Sequence, residues 1–225
     1  MPARSRRPAR FSLVAAVLAI GLLAIAAPPG RAATLYGLDV YFAAGYERQV
    51  DSRTCTAAAT AMMMNFIARR DLGLNQMTIL HYEQPRDALN DAVQRGSDPL
   101  GWSRAATYYS RYTSRPTTYA WEAYTTASAA LRRAARQIAV TGKPVGMLVS
   151  HGTHAMVMTG FVSTANPKTA STWTLEHIWY SDPYGYQHHA APAESTPLTR
   201  YTQMDATSYY DGKWYGKYIV IVPQG

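Results

Sequence analysis

The chain has one cysteine, Cys55, in the stretch RQVDSRTCTAAATAMMMNF spanning residues 48–66. A single thiol closes no internal disulfide. Three readings remain: a buried small hydrophobe, an intermolecular bridge, or a reactive thiol. A reactive thiolate needs a base, a group that orients the base, and donors for an oxyanion. Gln49, six residues before the cysteine, carries an amide that can donate to an oxyanion beside the Cys55 backbone N–H. His154 opens the apolar run HAMVMTGFV, and Asp182 closes WTLEHIWYSDPYG. Asp182 is expected to accept the Nδ1 hydrogen of His154 and so fix the imidazole's tautomer and direction. Taken singly, these are a loop glutamine, a turn histidine and an Asp-Pro turn. Taken in order, they are the parts of an acyl-transfer site with a cysteine nucleophile.

Positioning such groups requires particular elements. Ala57, Ala58, Ala59, Ala61 and three methionines are strong helix formers, so a helix is expected to begin near Cys55 and to end at Gly73. Cys55 then lies in the first turn, where unpaired N–H groups and the positive end of the dipole favour a thiolate. Cys55, Ala59, Met62 and Phe66 share a face at helical spacing, which predicts a packed, central helix. Further on, Leu131, Ala135 and Ile138 mark another helix, stopped by Gly142 and Pro144. VGMLVS is read as a buried strand and HAMVMTGFV as the next, with the turn SHGT between them. His154 at the mouth of a strand can thus face a helix N-terminus packed on the sheet. His151 is read as a surface turn histidine.

The arrangement of Gln49, Cys55, GKPV, HAMVMTGF, SDPYG and a closing WYGKYIVIV resembles the papain-like cysteine peptidases. It is most similar to the branch related to the bacteriocin-leader-processing peptidases (family C thirty-nine), over roughly residues 36–223. The resemblance implies an α+β fold in which an N-terminal catalytic helix packs on an antiparallel sheet. It implies Cys55 as nucleophile, His154 as general base and acid, Asp182 as orienting residue and Gln49 as oxyanion donor. Thr56 stands where family members often carry glycine, and a β-branched residue there is expected to crowd the oxyanion site. The expected function is a secreted cysteine peptidase or amide hydrolase working through a thioacyl-enzyme, on a peptide or protein substrate. Two alternatives stay open: an acyl transferase of the transglutaminase or deamidase type, and an inactive binding module of the same fold.

The N-terminus carries a different signal. MPARSRRPAR holds four arginines and no acid, the apolar run of residues 11–27 follows, and PPG breaks it. This is the layout of a secretory leader, with small-residue cleavage sites after Ala26, Ala32 or Ala33. Residues 1–33 are therefore read as a signal peptide, or an N-terminal anchor if uncleaved, and 34–225 as a single domain. Arg6-Arg7 matches a twin-arginine signal poorly because Pro8 and Ala9 follow. The formal charge of +8 falls to +3 from Thr34 onward, because five arginines lie in or beside the leader. With no long basic run left, no nucleic-acid surface is expected. A leader and no transporter segment argue against double-glycine leader cleavage, and a secreted or envelope-associated monomer is the expected form.

Other chemistry is thinner. His177, His188 and His189 lack a carboxylate or cysteine at ligand spacing, so an exposed loop is expected there, with no metal and no cofactor. No G-x-S-x-G or P-loop pattern occurs. The aromatic-rich stretch after Asp98, including Trp102, is read as packing rather than as a substrate groove. Residues 86–112 are expected to form two short helices around GSDPLG.

Overall fold

A computed structural model describes residues 35–89, 96–203 and 210–225. The leader or anchor expected over residues 1–33 lies outside the described residues. Among those described, no helix is long and apolar enough to cross a membrane.

The elements run β1 (Tyr36–Asp39), α1 (Cys55–Ala68), α2 (Gln76–Glu83), α3 (Pro99–Tyr109), β2 (Tyr119–Tyr124), α4 (Ala127–Thr141), β3 (Val145–Val149), β4 (His154–Ser163), β5 (Leu175–Asp182), β6 (Tyr186–Pro192), α5 (Asp211–Trp214) and β7 (Tyr218–Pro223). The strands form one sheet in the order β2-β7-β3-β4-β5-β6, with β1 paired to the far half of β4. Every pairing is antiparallel. This is the α+β arrangement that the resemblance implies, a cysteine-bearing helix on an antiparallel sheet.

Period-two alternation divides the central strands between two cores. Leu148 in β3 and Ile219 and Ile221 in β7 face α1, α2 and α3. Met147, Val149, Val220 and Val222 face α4. Because both faces are covered, β3 is apolar without interruption and buried throughout.

Helix α1 is buried on all sides from Cys55 to Ile67. Its alanines let neighbouring elements approach closely, and its methionines fill the irregular space. Arg69, in the left-handed conformation at φ 56°, ends the helix, and its N–H donates to the Asn65 carbonyl. The expected stop at Gly73 is therefore four residues late. Asn65 holds the turn that follows by accepting from the Leu72 N–H, so the chain turns before it reaches the glycine.

Only one regular α-helix, α3, is described within residues 86–112, and residues 90–95 lie outside the described set. Asp98 caps α3 by accepting from the N–H groups of Leu100 and Gly101, with Pro99 as the first helical residue. Thr107 in α3 reaches the free edge of β2, where its hydroxyl accepts from the Tyr119 N–H and shares its proton between the carbonyls of Ser103 and Tyr119. Trp102 is fully buried and lies over Gly146 in β3, as the packing reading of the aromatic stretch requires. A methyl group at Gly146 would come within 2.5 Å of the indole. Gly146→Ala should therefore destabilise the protein by ~1–3 kcal/mol, read as a lower urea midpoint with an unchanged m-value.

Candidate active site

Three separate elements end at one place. Cys55 is the first residue of α1, His154 the first of β4, and Asp182 the last of β5. The turn before α1 is knotted by its own side chains. Thr54 Oγ1 donates to the Asp51 carbonyl, and the Asp51 carboxylate accepts from the Arg53 N–H and guanidinium. Thr54 is thereby spent on the turn and makes no side-chain cap on the helix. The N–H groups of the first turn are left available near the thiol.

His154 is presented by a tight connection from β3. Ser150, His151 and Gly152 all have positive φ, at 49°, 59° and 92°, so the turn is strained at its two non-glycine residues. A strap from the distant chain holds it. The His151 N–H donates to Thr199 Oγ1, the His151 carbonyl accepts from the Thr202 N–H, and Tyr201 packs where a Gly152 side chain would be. His151 is exposed, in line with the turn reading.

His154 Nε2 lies 2.7 Å from Asp182 Oδ1. This corrects the expectation that Nδ1 would face the carboxylate. Val157 pairs with Ser181, so Asp182 stands opposite Met156, two residues along the same face from His154. The distal ring nitrogen is the one that spans this diagonal. Nδ1, nearer the backbone, is left for Cys55, whose sulfur interacts with the ring. Asp182 Oδ1 also accepts from the Tyr184 N–H at 2.8 Å, and Tyr46 Oη donates to the Asp182 carbonyl at 2.9 Å. Burial works against charge on His154, but hydrogen bonds and charge from Asp182 and Cys55 outweigh it and push the imidazole up to about 9.

Gln49 sits beside this group. Its N–H donates to the Pro183 carbonyl at 2.9 Å, and its amide nitrogen donates to the Asp51 carbonyl at 3.1 Å. Its side-chain oxygen is buried without a partner. One amide hydrogen is thus committed to the turn before α1 and the other is uncommitted.

Cys55 and His154 open into a cavity of about 380 Å³, whose far wall includes Asp87, Ser97 and Asp98. Asp87 is pushed well above the usual carboxylate range by burial and the nearby Asp98 charge. Asp98 is raised by burial, against backbone N–H groups from Ala88, Leu89, Leu100 and Gly101. Local sequence does not mark this wall. The Asp98-Pro99 pair signals a helix start, but nothing local ties it to Cys55. The Thr56 hydroxyl turns to Glu83 in α2 at 2.6 Å, a partner 27 residues away that spacing does not reveal.

Of the three histidines expected in an exposed loop, His177 lies on β5 and His188 and His189 lie on the edge strand β6. There His188 pairs with Asp39 at 2.7 Å and His189 stacks on Tyr180. The carboxylate partner comes from β1, far away in sequence, which is why spacing did not find it. No cluster of metal-ligating residues occurs among the described residues.

No protein-family model and no curated protein matches the chain. Two of the solved structures to which it is similar are the following. One is a double glycine motif protease from an AMS/PCAT transporter, in complex with the leader peptide. The identity is 15%, over 79% of this chain and 89% of that one, with a TM-score of 0.42. The other is UfSP from C. elegans, at 12% identity over 80% of this chain and 32% of that one, with a TM-score of 0.47.

The raised His154 pKa fixes the sign of a pH effect. A folded-state value near 9, above the usual 6.5, means the pair stabilises the fold in full below about pH 6.5 and loses that contribution as pH climbs through about 9. Asp182→Asn should lower the His154 titration midpoint by ~1 pH unit or more, followed by NMR of the ring C–H resonances.

Proposed function

We propose that the protein is a cysteine-type peptidase or amide hydrolase that works through a thioacyl-enzyme. The observation that carries this reading is the convergence of the Cys55 thiol at a helix N-terminus with a His154 imidazole hydrogen-bonded to Asp182, at the mouth of a cavity. A protonated imidazole between a carboxylate and a thiolate is the resting state that cysteine nucleophiles use.

The reaction follows from these roles. Cys55 Sγ attacks the carbonyl carbon of a bound amide, and the oxygen becomes an oxyanion held by the first-turn N–H groups of α1. The uncommitted Gln49 amide hydrogen is the second donor. The C–N bond then breaks as His154 Nδ1 delivers its proton to the leaving amine. Water, deprotonated by the same nitrogen, attacks the thioester, which releases the carboxylic acid and restores the thiol. Asp182 keeps the imidazole pointed at the sulfur throughout. The substrate class is a peptide or protein segment long enough to lie along the cavity. The reading includes export through the leader of residues 1–33, checked by N-terminal sequencing of the protein recovered outside the cytoplasm.

Cys55→Ala and His154→Ala should each abolish peptide release from a denatured protein substrate. Gln49→Ala should lower kcat by ~100- to 1000-fold while leaving residual turnover, the usual cost of one oxyanion donor. Rapid alkylation of folded Cys55 by iodoacetamide at pH 6 accompanies this reading. A thiol that alkylates only after unfolding, in a protein that releases no peptide, refutes it.

A further inference from the structure

Glu83, the last residue of α2, is fully buried among α1, α2 and α3. Its carboxyl has no cationic partner among the described residues. Its two oxygens instead accept from two threonine hydroxyls on α1, Thr56 Oγ1 at 2.6 Å and Thr60 Oγ1 at 3.5 Å. A buried carboxyl with no countercharge is costly, and an apolar side chain would fill the space without that cost. The two hydroxyls lie one helical turn apart on the face that α1 turns to α2. The first of them belongs to the residue directly after Cys55.

A threonine in the first turn of a helix has other uses for its hydroxyl. It can bond to nearby backbone groups or point into the space the helix end faces. Either would compete with an oxyanion for the N–H groups of Cys55 and Thr56, since Thr56 also lines the cavity. Capture by Glu83 removes that competition. The two hooks also restrain α1 from sliding or turning against α2, and a displacement of the reacting atoms by ~1 Å can cost on the order of 100-fold in rate.

We propose that Glu83 is a positioning residue for Cys55. By holding the Thr56 hydroxyl it keeps the turn that follows the nucleophile open for an oxyanion and fixes that turn against α2. The proposal rests on the reading of Cys55 as the nucleophile. It turns the threonine that stands in place of glycine from an obstruction into half of a fixed contact. Burial pushes Glu83 up to about 8, opposed by the Thr56 and Thr60 hydrogen bonds and reinforced by the Asp98 charge. The groups facing it are Thr56 and Thr60 from α1, Asp98, Asp87 and Ser97 from the loop and cap of α3, and Tyr109 from α3 itself. At neutral pH the carboxyl is therefore protonated, and above about 8 a negative charge develops behind the first turn of α1.

The test is the second-order rate constant for iodoacetamide alkylation of Cys55 in the full chain from pH 5 to 10, with near-ultraviolet circular dichroism to confirm folding. It needs no knowledge of the natural substrate. The wild-type profile should show an inflection from Glu83 ionisation above neutral pH, read as the difference from the Glu83→Gln profile. Glu83→Gln, which keeps an acceptor for Thr56 but cannot ionise, should remove that inflection. Thr56→Val should slow alkylation at pH 7 by about tenfold, the loss of one hydrogen bond, and move the inflection to higher pH because a hydroxyl that lowers the Glu83 pKa is gone. Thr56→Ser should recover most of the loss. A folded Thr56→Val protein with the wild-type rate at pH 7 overturns the proposal, as does a folded Glu83→Leu protein, which has no acceptor for Thr56, with that rate. If Thr56→Val does not fold, the Glu83→Leu rate decides. A wild-type thiol that does not alkylate in the folded state overturns both this inference and the proposed function.

Discussion

The register of β5 against β4 is the constraint on which the candidate site depends. Val157 opposite Ser181 sets Asp182 diagonal to His154 on the same face of the sheet. Side chains alternate between faces, so a slip of one residue would turn the carboxylate to the face opposite the imidazole and leave the ring alone. Several contacts resist that slip. The Asp182 carbonyl is held by Tyr46, its carboxylate by the Tyr184 N–H, and the neighbouring Pro183 carbonyl by Gln49. The segment before α1 is thus fastened to the end of β5, and the helix carrying the thiol is aligned with the strand carrying the carboxylate.

Helix α1 is the second fixed body, and its composition explains how it can be enclosed on every side. Small residues admit close neighbours, while each buried polar side chain has assigned work. Asn65 reaches the Gly45 carbonyl and the Glu47 carboxylate, and Thr56 and Thr60 reach Glu83. These polar contacts specify rotation and depth, which an apolar surface of alanine and methionine defines only loosely. The strap over the Ser150–Gly152 turn does the same for the histidine from the opposite side of the cavity.

Much of this was legible in the sequence because the candidate residues occupy ends of elements. A run of alanine and methionine announces where α1 begins, apolar runs around SHGT announce β3 and β4, and the Asp-Pro dipeptide announces the end of β5. What stayed hidden depends on tertiary register. Which imidazole nitrogen meets Asp182 follows from a diagonal across two strands. The Thr56–Glu83 contact joins residues 27 positions apart, and the pairing of His188 with Asp39 joins β6 to β1 across 149. The early end of α1 was hidden for a related reason, since Arg69 adopts a conformation that glycine normally signals.

The hydroxyl of Thr107 at the rim of β2 has a consequence of another kind. An outer strand with vacant amides and carbonyls invites a neighbouring molecule to add its own strand and extend the sheet. At Tyr119 the amide vacancy is filled by a side chain from the protein's own helix, which shares its one proton between the Tyr119 and Ser103 carbonyls. Growth of the sheet from one molecule to the next is thereby blocked where β2 begins, a safeguard against aggregation built from a single threonine.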